Sequence, residues 1–376
     1  MALPFDFGHA RALLSRLIEI PSPSGHEKPV CDFIADYVEG LGFRVERHEV
    51  YKTGYNVVVK VGDGGDVLFC GHVDVVPEFD FVDAFRAKFV DDLVYGRGAC
   101  DMKGGVTAML LLLEKIASQK TEPDVSFAFV VDEEMHGRGA AELMLRGIKS
   151  EVCIITEPTQ NSVCVGNAGC AEFRLTFHGQ SGHGGSRTGG NSIRHFVDFS
   201  KVFEQKLLLG LDFTGGELPM SPIINLGRVE GGYGAWIIPP RTYCDVLVHF
   251  HPEIRFADAL DRIKRTVDEV AREVGVRVDF TLLHGCDGFL LNNNFYAELL
   301  TKAYAEATGK TPKKAIIEAE TDANALYHKG SQRCLIFGPG NLRYAHSSIE
   351  HVSVGEVVEA ARTLSRFLQL VESSRK

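Results

Sequence analysis

The stretch LFCGHVDVVPE (residues 68–78) sets a histidine and an aspartate two places apart at the end of an apolar run. In a β-strand residues i and i+2 share a face, so His72 and Asp74 project together from the strand's carboxyl end. Open αβ sheets bind their ligands at that end. A histidine and an aspartate at an ordinary solvated strand end would read the same way, because His-x-Asp is short and common. The rest of the chain has to decide.

Upstream, residues 9–20 carry Leu13, Leu14, Leu17 and Ile18 at helical spacing. IPSPSGHE then breaks the helix, and Ser24 followed by Glu27 reads as a capping box for the next one. FRVERHEV, YNVVVKV and DVLFCGHVD read as strands, with a GDGGD turn among them. A helix in GGVTAMLLLLEKIASQ, a strand in DVSFAFVVDEE, a helix near 136–147 and a strand in VCIITEP continue the alternation. Such alternation predicts an α/β fold with a mixed, mostly parallel sheet between helices.

From about Gly169 the texture changes. CAEFRLTFHGQ alternates as an antiparallel strand does, and a β-α-β-β-α-β order runs to about Leu283. The first texture then resumes and closes on the amphipathic helix VGEVVEAARTLSRFLQLV. The prediction is a discontinuous larger domain, 1–168 and 285–376, interrupted by a ferredoxin-like α+β domain at 169–284.

The 376 residues suffice for two or three domains. A net charge of −10 argues against a nucleic-acid surface. No apolar run approaches the ~20 residues of a membrane span, and the N-terminus lacks a signal-peptide pattern. Nine cysteines without a CxxC pair read as reduced packing thiols in a cytoplasmic protein.

Four more segments end or turn on acids and a histidine. YGRGACDMKGG (95–105) places Asp101 in a glycine-rich turn before an apolar helix, as a helix-start acid or as a bridge between two cations. FAFVVDEEMHG ends a strand in Asp132, Glu133 and Glu134. Carboxylates ~4 Å apart repel by about 4 kcal/mol at an effective dielectric of 20, so solvent, protons or a metal must offset the charge. One glutamate could ligate while its neighbour stays free as a base. CIITEPTQ ends in Glu157, and GPGNLRYAHSSIEH supplies His346. Nitrogen and carboxylate donors suit Zn²⁺, and a pair of such ions can act together on a carbonyl and a water. His9, His26 and His136 read as solvent or packing residues. A phosphate-loop reading fails because GxxxxGK[ST] is absent.

With these residues in order, the chain resembles the co-catalytic zinc hydrolases that include acetylornithine deacetylase, succinyl-diaminopimelate desuccinylase, glutamate carboxypeptidase and aminoacylases. The matching segments are GHVDVVP, YGRGACDMKGG, VVDEE, TEP, GQSGHGGSRTGGNSI, ETDANAL and FGPGNLRYAHSSIE, in family order and over nearly the whole chain. The resemblance implies two divalent ions, Zn²⁺ with Co²⁺ or Mn²⁺ as alternatives. It puts His72 and Glu157 on one, Glu134 and His346 on the other, and Asp101 between them. It further implies Asp74 orienting His72, Glu133 as general base, and a cis peptide after Asp101. The inserted domain resembles a lid and dimerisation domain, and His183 matches the histidine that reaches a partner's site to steady an oxyanion.

Two positions depart from the family. Where members carry an asparagine and a carboxylate-gripping arginine, this chain has Trp236 and His249. Histidine is a weaker, pH-dependent anion partner. Arg187, Arg228 or Arg241 could stand in for the arginine. Trp236 either stacks on substrate or packs within the lid, with packing favoured. Gly338 joins Trp236 and His249 as a substrate-binding candidate. The resemblance implies a deacylase of N-acyl amino acids, with an exopeptidase or dipeptidase as the alternative. A non-catalytic binding protein on the same fold is the competing class. The expected partners are a small N-acyl amino acid or short peptide and a second copy of the chain, with neither nucleic acid nor membrane.

Overall fold

Strands covered on both faces are written as unbroken apolar runs, and three such runs form the centre of the larger sheet. The structure is a computed structural model that describes residues 5–119, 123–186, 189–213, 217–330 and 333–375. The chain divides into two units. The larger comprises Met1–Val165, Leu291–Ala315 and Thr321–Lys376, and the smaller comprises Gly166–Leu290 and Ile316–Glu320. The segment 316–320 thus groups with the smaller unit, whereas the sequence reading left it in the larger domain.

In the larger unit, β1 (Val45–Tyr51), β2 (Gly54–Val61), β3 (Val67–His72), β4 (Val125–Val130) and β5 (Val152–Ile155) lie in the order β1-β2-β4-β3-β5, followed by Cys334–Ile336. The links β4-β3, β3-β5 and β5 to Cys334–Ile336 are parallel, while β1-β2 and β2-β4 are antiparallel. Every residue of β3, β4 and β5 is buried. The helix Gly104–Ala117 is buried along most of its length and packs on the C-terminal helix Val354–Ser373. Parallel strands finish at one edge. The residues that follow β3, β4, β5 and Cys334–Ile336 therefore emerge side by side, although the sequence scatters them from His72 to His346.

A small antiparallel sheet pairs His351–Ser353 with Leu93–Tyr95, and Lys88–Val90 with the latter. It draws the segment after His346 back to the turn that carries Asp101. The predicted capping box does not form. The helix Lys28–Gly40 starts with a proline in its first turn and no side-chain cap, and the Ser24 hydroxyl donates instead to Asp74 at 2.7 Å.

In the smaller unit, β6 (Gly169–His178), β7 (Ile223–Gly231), β8 (Arg241–Phe250) and β9 (Arg277–Cys286) form an antiparallel sheet in the order β7-β8-β6-β9. Helices Ser192–Leu211 and Phe256–Val274 complete a β-α-β-β-α-β order. Alternate residues of β6 and β8 face the core, where Phe173, Phe177, Phe199 and Phe203 pack together. Among the described residues no helix is long and apolar enough to cross a membrane.

Candidate metal centre

The shared sheet edge brings the predicted ligands of the larger unit together. His72 ends β3, and its Nε2 lies 3.1 Å from Asp101 Oδ1 and 3.6 Å from Glu157 Oε1. The other oxygen of Asp101 faces His346, at 3.4 Å from Nε2, and His346 Nε2 is 2.9 Å from Glu134 Oε2. Two trios with metal-ligand spacing result, His72–Asp101–Glu157 and Asp101–Glu134–His346, with Asp101 common to both. Glu133 belongs to neither, although its Oε2 stands 3.9 Å from His72 Nε2. The peptide between Asp101 and Met102 is cis.

Asp74 does its positioning differently from the expectation. His72 Nδ1 lies 2.9 Å from the backbone carbonyl of Asp74, whereas the nearer carboxylate oxygen is 3.7 Å away. A carbonyl only accepts, so Nδ1 carries a proton and Nε2 is the nitrogen turned to Asp101 and Glu157, the one that an ion would take. The carboxylate is engaged elsewhere, accepting the amides of Glu133 and Glu134, each at 3.1 Å, and the Ser24 hydroxyl. One residue therefore orients the histidine through its main chain and the two-glutamate loop through its side chain. Asp132 leaves the acidic cluster altogether, because both its carboxylate oxygens accept from the Arg138 guanidinium.

Charge is the difficulty of this arrangement. Burial pushes the Glu133 and Glu157 carboxyls well up; His72 pulls both down, while Asp322 and Glu134 push both further up, joined by Glu157 at Glu133 and by Asp101 at Glu157. Burial also raises Glu134, with Asp101 adding to it. Burial alone would lower the imidazole of His346, but Asp101 and Glu134 carry it up to about 10. His72 is likewise driven well up by Glu157, Asp101 and Glu133 against its burial. For Asp101 burial is outweighed by both histidines, which hold its carboxyl low. Buried acids of this density call for positive charge. Glu134 Oε1, moreover, is buried without a hydrogen-bond partner, which a cation on that side would satisfy. The donor set fits divalent ions of the zinc type.

The loops lie close to one another. A Cβ on Gly338 would come within 2.4 Å of the Thr156 carbonyl and 2.6 Å of the Glu157 carbonyl, so glycine lets the loop before His346 lie on the backbone that carries Glu157. Gly338 is buried there. Glu350 was missed by sequence reasoning. Its Oε1 accepts the amides of Cys100 and Asp101, each at 3.2 Å, and its Oε2 takes the Arg97 guanidinium at 2.7 Å. It thereby fixes the backbone of Asp101, the residue common to both trios.

The remaining candidates lie in the smaller unit. His183 is exposed on a two-stranded ribbon, opposite Ile237. Its neighbour Trp236 is 69% exposed, which overturns the packing reading of that ring. His249 stands on β8 opposite Cys170 of β6. Burial lowers its imidazole, while the charge of Glu320 acts the other way. Arg228 is exposed and pairs with Glu230, and the exposed Arg241 reaches the Tyr243 hydroxyl. Arg187 lies outside the described residues. His9 pairs with Glu114 at 2.7 Å, and His26 and His136 are exposed.

A family model described as peptidase family M20/M25/M40 matches residues 68–370. The chain is 28% identical to acetylornithine deacetylase of Myxococcus xanthus, over 95% of this chain and 96% of that protein. To a probable carboxypeptidase of Aspergillus terreus it is 26% identical, over 95% of this chain and 84% of that protein. The structure of human carnosine dipeptidase 1 superposes with a TM-score of 0.80 at 15% identity, covering 98% of this chain and 96% of that one, a likeness of fold.

Proposed function

The chain belongs to peptidase family M20/M25/M40, metal-dependent hydrolases of amide and peptide bonds, and from that premise we propose that it is a dinuclear deacylase of N-acyl amino acids. The observation that carries the proposal is Asp101, whose two oxygens face different histidines while Glu133 stands beside His72 outside both trios. His72, Asp101 and Glu157 would hold one ion, and Asp101, Glu134 and His346 the other. Bound there, two Zn²⁺ ions, or Co²⁺ or Mn²⁺, would polarise the scissile carbonyl and acidify water.

The chain's own groups do the rest. Glu133 takes a proton from the attacking water and hands it to the leaving amine. Asp74 keeps that carboxylate in place by holding its amide, and Glu350 keeps Asp101 in place. His183 is assigned to steadying the oxyanion, in a homodimer joined through the smaller unit as a lid and dimerisation domain. Trp236, His249 and Gly338 remain the substrate-side candidates, in a cytoplasmic protein.

The second reading is an exopeptidase or dipeptidase, favoured by the carboxypeptidase relative. Initial rates on parallel panels of N-acetyl amino acids and dipeptides, with each of the three metals, test the choice. Faster turnover of the acetylated panel, abolished in Glu133→Gln, supports the deacylase. Faster dipeptide turnover supports the second reading. Metal-loaded protein that turns over neither panel leaves a binding protein.

A further inference from the structure

A second convergence of metal-binding side chains lies in the smaller unit and shares none of the residues assigned above. Cys170 on β6 and Cys286 on β9 are register partners, and their sulfurs stand 3.8 Å apart. His284 lies two residues before Cys286 on the same strand, so it shares its face. Glu320, from the 316–320 segment, points its carboxylate into the group. Its oxygens lie 2.9 and 3.1 Å from His284 Nε2, 2.7 Å from Cys170 Sγ and 3.5 Å from Cys286 Sγ. One donor atom from each of the four residues lies within 4.8 Å of every other.

We propose that Cys170, His284, Cys286 and Glu320 form a closed tetrahedral site for a structural zinc ion in the smaller unit. Geometry and donor chemistry agree on this. The edge of a tetrahedron is about 1.63 times the centre-to-corner length, so Zn–S bonds of ~2.3 Å set two sulfurs about 3.8 Å apart. That is the separation of Cys170 and Cys286. A sulfur and a carboxylate oxygen on the same ion should stand about 3.5 Å apart, as Cys286 and Glu320 do. The shorter Cys170–Glu320 contact is a thiol donating to a carboxylate. Zinc would displace that proton and the one on Cys286, and the oxygen would move back from the sulfur.

Two thiolates, an imidazole and a carboxylate suit zinc better than calcium or magnesium, which seek oxygen. A disulfide would need the sulfurs at ~2.05 Å and gives no reason for His284 and Glu320 to converge on them. Four protein ligands leave no open position, as in structural rather than catalytic zinc sites. Cys170, Cys286 and Glu320 each lie a few residues from a point where the chain passes between the two units. The ion would fasten β6, β9 and the 316–320 segment to one another.

The test is Co²⁺ added to the chelator-stripped full-length chain, followed by Zn²⁺ competition. The centre of the larger unit offers only nitrogen and oxygen donors, so a thiolate-to-cobalt charge-transfer band in the near ultraviolet reports this site alone. The band should appear, vanish on adding Zn²⁺, and be absent from Cys170→Ser/Cys286→Ser, whose zinc content falls by one ion per chain. No band in the native sequence, or a band surviving in the double variant, overturns the proposal. So does the formation of a Cys170–Cys286 disulfide in air by a protein that gives no band. Should the double variant not fold, Glu320→Gln should weaken zinc binding by about tenfold at least, the cost of losing even an outer partner of a ligand. Unchanged affinity would refute the site. None of these outcomes bears on the deacylase reading.

Discussion

Replacing Asp74 with asparagine separates its two duties. The main-chain carbonyl that orients His72 is untouched, so the tautomer of His72 and the ion beside it should survive. The side chain fares differently. Its two oxygens accept the amides of Glu133 and Glu134 and the Ser24 hydroxyl, and the group is fully buried. An asparagine NH₂ must replace one oxygen, and whichever way it turns, one of the two amides then faces a donor. An orphaned buried donor costs ~1–3 kcal/mol, and the surviving bonds lose the charge that makes them roughly twice as strong as neutral ones. We expect a stability loss of about 3 kcal/mol in urea unfolding. The loop carries Glu133, the proposed general base, and a shift of ~1 Å in a catalytic group is worth about 10²-fold, so kcat should fall by about that factor. Metal content, measured on the same sample, should stay that of the native sequence. The reasoning is refuted if Asp74→Asn loses metal while keeping its activity per bound ion, which would put the carboxylate and not the carbonyl behind His72. A stability change under about 0.5 kcal/mol would also refute it.

Glu133→Gln should retain its metal and lose activity by about 10²–10⁴-fold, the range for a positioned acid–base group, read by steady-state kinetics beside metal analysis. Gly338→Ala brings a methyl against the carbonyls of Thr156 and Glu157. It should cost about 1–3 kcal/mol in unfolding experiments and weaken metal binding by displacing Glu157. In the smaller unit, Arg174 grips Asp245 with both ends of its guanidinium, at 2.6 and 2.8 Å, and holds that carboxyl below its ordinary range. A depressed folded pKa gives stability that is present above the ordinary carboxylate range and lost as pH falls through the folded value. The pair is partly exposed, so Asp245→Asn should cost only about 0.5–1 kcal/mol at neutral pH, and that deficit should shrink as the pH drops below about 4.

The five candidate ligands of the larger unit stood out in the sequence because each is an anomaly at a strand end or glycine turn, and parallel strands end together. His72 closes β3, while Glu134 and Glu157 come shortly after β4 and β5, the strands on either side of it in the sheet. What escaped notice depends on partners that no local pattern announces. Ser24 and Glu27 spell a capping box, yet the hydroxyl of Ser24 serves Asp74, 50 residues away. Glu350 reaches Arg97 across 253 residues through a three-stranded sheet of very short strands. Asp74 was read as a side chain, and periodicity says nothing of carbonyls. Cys170 and Cys286 looked like packing thiols because strand register, not spacing, sets them side by side, and Glu320 joins them from a segment assigned to the other domain. The packing reading of Trp236 failed because nothing around it in sequence shows that the ribbon leaves it in solvent.

Anomalous scattering from crystals grown with zinc, with data on both sides of the zinc absorption edge, tests the central claim most directly. Two peaks about 3.5–4 Å apart are expected on either side of Asp101, one beside His72 and Glu157 and the other beside Glu134 and His346. Zinc found elsewhere in the chain, with neither position occupied, would contradict the account.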